Sequence, residues 1–389
     1  MPLGFYLRCA DKNLEAISAF SASNIGNYYI STKFAKSKES EIYKAWAWGN
    51  YNYQSKSKKN LLYVKEQKEL EFLTFYSDCI NLSRDLINSP ANKLNPSIYY
   101  SKIKNNNLFK SFNFIDYTEK EINSNFPLTC AVGKSSSSKP KVIEITNRKL
   151  SKKDKPLVII GKGVTFDTGG VNIKPGTSMR NMKKDMGGSA IAISLFLLAN
   201  YFLKKTKIVL IAPIAENAIS SKSMRPGDVY SSVSGKSVEI AHTDAEGRLL
   251  LADAIEKASS YNPCMIIDFA TLTGAARVAL GEDLPAYFCN NETFAKKIEN
   301  LNKEKLRCWR LPLYSPYLFK IKSQVADLSN ASLDGMAGSI TAALFLQEFL
   351  KSPNIPWFHF DTFAWSQDSK GAALQGLDIM SDFLRKNFN

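Results

Sequence analysis

The feature that most constrains this chain is an alternation, from about residue 67 onward, of short apolar runs with longer runs of helical periodicity. Short runs rich in β-branched residues read as strands buried on both faces, and the periodic runs read as helices that cover those faces. Residues 157–160, 207–213, 265–269 and 357–360 are the expected strands, and 189–203, 249–260, 340–350 and 376–386 the expected helices. The fold class that follows is α/β, a mixed sheet flanked by helices. Ligands of such sheets gather beyond the carboxyl ends of strands, so the polar residues just after these runs are the candidates for function.

The first part of the chain has a different texture. Residues 1–66 are polar and aromatic-rich, end in a loop over 54–60, and hold no cluster of catalytic residue types. They are expected to form a small accessory α/β domain, with residues 67–389 as the main one. A helix is expected from Gln67 through Leu70, Leu73, Ile80 and Leu86 to Asn88-Ser89-Pro90, where the proline disfavours further helix.

Composition excludes several classes. Hydrophobic residues make up 44% and charged residues 22% of the 389, an ordinary globular balance rather than a disordered one. The formal charge of +15 raises the question of a nucleic-acid or anionic-membrane partner. Its lysines, however, are dispersed and often sit beside asparagine, as in 102–110, so nucleic acid is not the expected partner. Lysine runs at 56–59 and 152–155 read as solvated loops. Six cysteines without a CxxC pair suggest neither a zinc knuckle nor a disulfide framework, and a reducing cytoplasmic setting fits. Arg8, Asp11 and Lys12 interrupt the opening too early for a standard secretion signal. The longest apolar stretch, 190–203, is too short to span a bilayer and contains Asn200, so it is expected to be a buried helix.

Two clusters follow apolar runs. After 157–160 come Gly161-Lys162-Gly163-Val164-Thr165-Phe166-Asp167-Thr168-Gly169-Gly170, then Lys174-Pro175, then Lys183-Lys184-Asp185-Met186-Gly187-Gly188. Glycines near lysine can cradle phosphate, but the spacing here fails that test. Gly133-Lys134-Ser135 resembles the end of a phosphate-binding loop, yet Leu128 occupies its upstream glycine position. The second cluster is His242-Thr243-Asp244-Ala245-Glu246-Gly247-Arg248. Acidic residues two apart in an extended segment share a face, so Asp244 and Glu246 can converge on one ion. Alone, such a string also reads as a solvated turn capping the next helix.

Together the clusters resemble the leucyl aminopeptidase family, the M17 metallopeptidases. Residues 243–248 match six of the seven positions in the family's Asn-Thr-Asp-Ala-Glu-Gly-Arg signature, and 161–174 with the spacing to Asp185 match its metal-binding region without a gap. Further likeness at 85–92, 269–281, 337–346 and 357–365 extends it over residues 67–389. The resemblance implies two divalent ions, Mn²⁺ or Zn²⁺. Asp167 and Glu246 would bridge them, Lys162 and Asp185 would hold one, and Asp244 the other. It implies that Lys174 polarises the scissile carbonyl and that Arg248 holds a bicarbonate that shuttles a proton. Met182, Thr271, Leu272 and Gly274 would contact the substrate, whose first side chain would be apolar, such as leucine. Peptide substrates and a homohexamer are implied as partners.

The chemistry is consistent with these residue types. Hydrolysing an amide at neutral pH needs a nucleophile stronger than water, and a water between two dications has its pKa lowered towards about 7. Oxygen-rich ligation suits Mn²⁺, Mg²⁺ or Zn²⁺, and the two histidines, His242 and His359, cannot form an HExxH motif. A lysine coordinates metal only when neutral, so Lys162 is expected to have its pKa depressed by the dications and by burial, whereas Lys174 stays charged. Two departures qualify the resemblance. His242 stands where the family has asparagine, and it reads as a hydrogen-bond donor behind the ligands, an extra ligand, or a substituted loop residue. The amino-terminal domain is also much shorter than in larger members. A silent scaffold predicts a substituted ligand, which is not found, and a nucleic-acid binder predicts clustered arginines and aromatics.

Overall fold

The computed structural model describes residues 17, 27–29, 36–53, 61–64, 66–303, 305–332, 334–367 and 371–388. The opening residues that bear on secretion, and the loop over 54–60, lie outside this set. The chain divides into two compact units, residues 1–85 and 86–389. The division falls inside the helix Gln67–Asn88 rather than just before it, because residues 67–85 of that helix pack with the amino-terminal unit. That unit also contains a parallel pair of strands, Asn27–Tyr29 and Leu61–Tyr63, and the helix Lys36–Gly49. In its core the Arg84 guanidinium lies 4.5 Å from the Trp48 ring and 3.9 Å from that of Tyr51, and donates a 2.7 Å hydrogen bond to the Trp48 carbonyl.

The larger unit is built on a nine-stranded mixed sheet. Its strands are β1 (Asn113–Ile115), β2 (Lys141–Thr146), β3 (Leu157–Gly161), β4 (Gly163–Asp167), β5 (Ile208–Asn217), β6 (Met265–Ala270), β7 (Ala286–Cys289), β8 (Trp309–Arg310) and β9 (Trp357–Asp361). Their order is β8-β7-β9-β6-β3-β5-β2-β1, with β4 also paired to β5. The central strands β9, β6, β3 and β5 run parallel, while β7 and β2 pair antiparallel on either side. The four expected strands are these central ones, since only strands buried on both faces produce unbroken apolar runs.

Helices cover both faces. Val158, Ile160, Val209, Ile211 and Ile266 join Leu250, Ala254 and Leu344 in one cluster beneath α2 (Gly247–Ser260) and α4 (Gly338–Gln347). On the other face α1 (Gly187–Phe202) packs against β3, β5 and β6, with α5 (Leu377–Asn387) on its outer side. The apolar stretch at 190–203 is thus a core helix. The segment Met182–Phe202 meets the length and apolarity needed to cross a bilayer, but 83% of its apolar window is buried inside the fold. Each fully buried Leu or Ile on these faces contributes about 1.5–3 kcal/mol.

One irregularity places the site. β3 and β4 both pair parallel with β5, and Lys162 is the single residue between them. Its N–H donates to the Phe269 carbonyl at 3.0 Å and its carbonyl accepts from the Ser189 N–H at 2.8 Å, so the break is held from both sides.

Candidate active site

The carboxyl ends of the parallel strands converge on a cavity of about 250 Å³. Lys162 follows β3 and Asp167 ends β4. The segment Thr271, Leu272, Thr273 and Gly274 follows β6 and leads into α3 (Gly274–Leu280). Asp244, Glu246 and Arg248 come from the turn and first residues before and within α2. Lys162, Asp167, Lys174, Asp185, Asp244, Glu246, Arg248, Thr271, Leu272 and Gly274 all line this cavity. Of the residues that the family resemblance assigns to the site only Met182 does not; it opens the 3₁₀ turn Met182–Met186 that carries Asp185.

Asp167, Asp185 and Glu246 are buried, and one oxygen from each lies within 4.8 Å of the others. The Lys162 ammonium sits 2.8 Å from Asp185 Oδ2 and 2.9 Å from Glu246 Oε1, and donates to the Thr271 carbonyl at 2.8 Å. Lys174 reaches Asp167 Oδ2 at 2.9 Å and also contacts Asp244 Oδ1. The remaining atoms are tethered: Asp167 Oδ1 accepts from the Gly169 N–H and from Asn217 Nδ2, both at 2.8 Å, and Thr271 Oγ1 donates to Asp185 Oδ1 at 2.8 Å. Glycines 169 and 170, at φ of 86° and 65°, let the chain turn back here, so that the Lys174 N–H reaches the Thr168 carbonyl at 2.9 Å.

The expected extended geometry at 244–246 is not what brings its two acids together. The Ala245 N–H bonds the His242 carbonyl at 3.2 Å, closing a turn, and Glu246 is already helical at φ −76°, ψ −35°. The turn is clamped by Asn330, which accepts from the Ala241 and His242 N–H groups at 2.8 and 3.1 Å and donates to the His242 carbonyl at 2.8 Å. His242 itself is exposed and outside the cavity; its Nδ1 accepts from the Asp244 N–H at 3.2 Å, acting as an acceptor rather than a donor. Sequence reading missed Asn217, Asn330 and Asp361. Asp361 Oδ1 accepts from the Leu272 and Thr273 N–H groups at 3.2 and 3.1 Å, and Oδ2 from Thr273 Oγ1 at 2.6 Å. Asp361 directly follows the expected strand at 357–360, so the rule of searching just beyond strand ends points to it.

The electrostatics are those of a site short of positive charge. Burial, reinforced by Asp167, pushes Glu246 up to about 8 and Asp244 up to about 7. For Lys162 burial opposes the charged form, but Asp185, Glu246 and Asp167 outweigh it and hold the ammonium well above the ordinary lysine range. Lys174 is raised in the same way by the surrounding acids. The depression of Lys162 expected from the sequence therefore requires the dications themselves. Asp185 Oδ2, Asp244 Oδ1 and Glu246 Oε1 are buried and accept no hydrogen bond, meeting the lysines only at ion-pair reach. Arg248, 7% exposed, has its Nε and Nη1 buried without partners, and burial pulls it down to about 10. Hard oxygen donors left open on one side suit divalent cations, and an unpaired guanidinium beside them suits a small planar anion.

The model of the cytosol aminopeptidase family catalytic domain matches residues 81–380. The chain belongs to the cytosol aminopeptidase family. A probable cytosol aminopeptidase of Syntrophotalea carbinolica is 38% identical over 298 residues, 76% of this chain and 59% of that protein. One from Chlamydia caviae is 41% identical over 288 residues, 72% of this chain and 57% of the relative. The chain thus spans somewhat under three fifths of the length of these curated relatives. Among solved structures, a cytosol aminopeptidase from Coxiella burnetii superposes with a TM-score of 0.88 at 36% identity, covering 97% of this chain and 85% of that one. The bottromycin maturation enzyme BotP in complex with Mn gives 0.84 at 27% identity, covering 97% and 86%.

Proposed function

We propose that this family member is a metal-dependent aminopeptidase that removes amino-terminal residues, leucine and other apolar ones among them, from peptides. The observation that carries this reading is the set of buried carboxylates, Asp167, Asp185 and Glu246, with mutually close oxygens of which two accept no hydrogen bond. Lys162, Asp167, Asp185, Asp244 and Glu246 would hold two divalent ions, Mn²⁺ or Zn²⁺, and the Mn found in the BotP structure supports a divalent ion. When bound, such a pair supplies a water acidic enough to be a nucleophile near neutral pH.

The side chains divide the remaining work. Lys174 presents a cation held charged by its acidic neighbours, placed to stabilise the oxyanion that develops as the carbonyl becomes tetrahedral. Arg248 offers unpaired N–H groups that would hold a bicarbonate, which would supply a proton acceptor and donor beside the reacting groups. The Thr271–Gly274 segment, fixed by Asp361, receives the peptide backbone. For Lys162 to serve as a ligand it must give up the proton that its acidic neighbours now retain.

A homohexamer is the proposed assembly; the exposed Ile173, Ile219, Val278 and Met336 are the kind of surface that self-association covers. A cytoplasmic setting is proposed from the relatives' names and from Cys130, Cys264, Cys289 and Cys308 being thiols. The deciding assay is release of leucine from leucyl-p-nitroanilide with Mn²⁺ or Zn²⁺ added, and with the amino group acetylated as control. Cleavage of the acetylated substrate at an equal rate, or no cleavage of either with metal bound, would overturn the reading.

A further inference from the structure

Beside the metal-ligating residues lies a second charged group that the mechanism does not use. The side chain of Lys184, a residue only 4% exposed, makes no hydrogen bond or ion pair among the described residues. Its ammonium rests 4.4 Å from the centre of the Phe363 ring, and the Arg277 guanidinium lies 4.7 Å from the same ring. The adjacent Asp185 carboxylate is engaged by Lys162 and Thr271 and acts on Lys184 through its field without forming an ion pair with it. Burying an ammonium without an anion is costly, and the face of one aromatic ring recovers only part of the lost hydration. Two cations on one ring also repel each other, and both effects are relieved by a carboxylate brought between them.

The group is joined through the chain to residues that line the cavity or fix its wall. Lys184 precedes Asp185 in the turn Met182–Met186. Arg277 stands one helical turn beyond Gly274 in α3. Phe363 is two residues past Asp361, whose carboxylate holds the Leu272 and Thr273 N–H groups. Its neighbour Ala364 packs so tightly on Gly187 that a Cβ there would come within 2.2 Å of the Ala364 Cβ and 3.5 Å of Thr271 Cγ2.

We propose that Lys184 and Arg277, set against Phe363, form a subsite for the side-chain carboxylate of an amino-terminal glutamate or aspartate, so that acidic residues are removed as well as apolar ones. Phe363 gives apolar side chains a surface to rest on, and the two cations reward a carboxylate reaching past it. This inference rests on the aminopeptidase reading and narrows its substrate class.

The test compares kcat/KM for leucyl-, glutaminyl- and glutamyl-p-nitroanilide with the metal-loaded enzyme, glutamine being the uncharged shape of glutamate. The wild type is expected to cleave the glutamyl substrate faster than the glutaminyl one. Lys184→Met should lower glutamyl cleavage by about tenfold or more while leaving leucyl cleavage within about twofold. Arg277→Gln, at an exposed position, should shift the ratio the same way without affecting folding. Free glutamate should raise the melting temperature of the wild type more than glutamine does, whereas in Lys184→Met the two should raise it by the same amount. A glutamyl rate at or below the glutaminyl rate in wild type overturns the subsite, as does an equal loss on all substrates in Lys184→Met. A loss confined to Leu-Gly relative to leucyl-p-nitroanilide would assign the cations to the peptide's terminal carboxylate and also overturns it. Absence of leucyl cleavage by the wild type would overturn the aminopeptidase reading itself.

Discussion

Gly247 lies directly against Lys162: a Cβ at position 247 would stand 2.4 Å from Cε and 2.7 Å from Nζ of the lysine. The first residue of α2 is thus kept bare by the side chain that closes the floor of the cavity. Gly247→Ala improves helix propensity by about 0.5–1 kcal/mol, yet it must push aside an ammonium already hemmed in by Asp185, Glu246 and Thr271. We expect the variant to fold, to bind fewer than two ions per chain, and to lose about a hundredfold or more in kcat/KM, since misplacement by an ångström is enough for such a loss. Metal analysis beside the leucyl assay checks this; two ions and full activity would show that Lys162 need not stay where it is.

Asp167 and Arg248 should separate by what they lose. Asp167→Ala removes an acid held by Gly169 and Asn217 at the centre of the cluster, so metal content and activity should fall together. Arg248→Ala removes an unpaired guanidinium, so turnover should drop by about 10²-fold or more while metal content stays near normal. Equal loss of metal in both variants would remove Arg248 from its proposed role.

Ion binding should tighten as pH rises through about 7 to 8. Without cations, Glu246 is pushed up to about 8 and Asp244 to about 7, so near neutrality the folded site binds protons that an unfolded chain has already lost. The sign follows: these groups make the metal-free fold lose stability between about pH 4.5 and 8, while each ion bound must expel protons. Lys162, raised by its acidic neighbours, adds a further proton to those released. Calorimetry of Mn²⁺ binding in buffers of different ionisation enthalpy should detect proton release that shrinks as pH rises; binding heats independent of buffer would contradict the assignment.

Asn330 ties residues 241–245 together through hydrogen bonds to four backbone groups at 2.8 to 3.3 Å while fully buried. Asn330→Ala should cost about 1–3 kcal/mol of stability per group left unpaired, and should weaken ion binding through Asp244. Chemical denaturation and metal titration check the two effects. A variant as stable as wild type would mean that the turn holds itself.

The sheet centre was legible because β3, β5, β6 and β9 are buried on both faces and so appear as unbroken apolar runs. The outer strands β1, β7 and β8 are short, and β4 was hidden inside the glycine-rich motif, so none of them stood out. The acids and lysines of the cavity were legible through the resemblance of their two motifs to those of the family, not through spacing alone. Asn217 and Asn330 were not, because each acts on groups distant in sequence and no local pattern marks such an amide, while Asp361 was marked only by its place just beyond a strand end. Met182 shows the converse limit, since its motif position carries over while its side chain falls outside the cavity wall. At 244–246 the two acids meet at one cavity as expected but by a different local geometry, since two acids two apart converge in a tight turn as well as in a strand.

The strand that pauses at Lys162 and then resumes has a lasting effect. Because the peptide groups on both sides of that residue are anchored by the sheet and by the start of a helix, stripping the cations should leave the backbone in place. The amine can then alternate between two duties, counter-ion when the pocket is bare and donor when it is filled. A protein made this way can be emptied by a chelator and recharged without passing through an unfolded form.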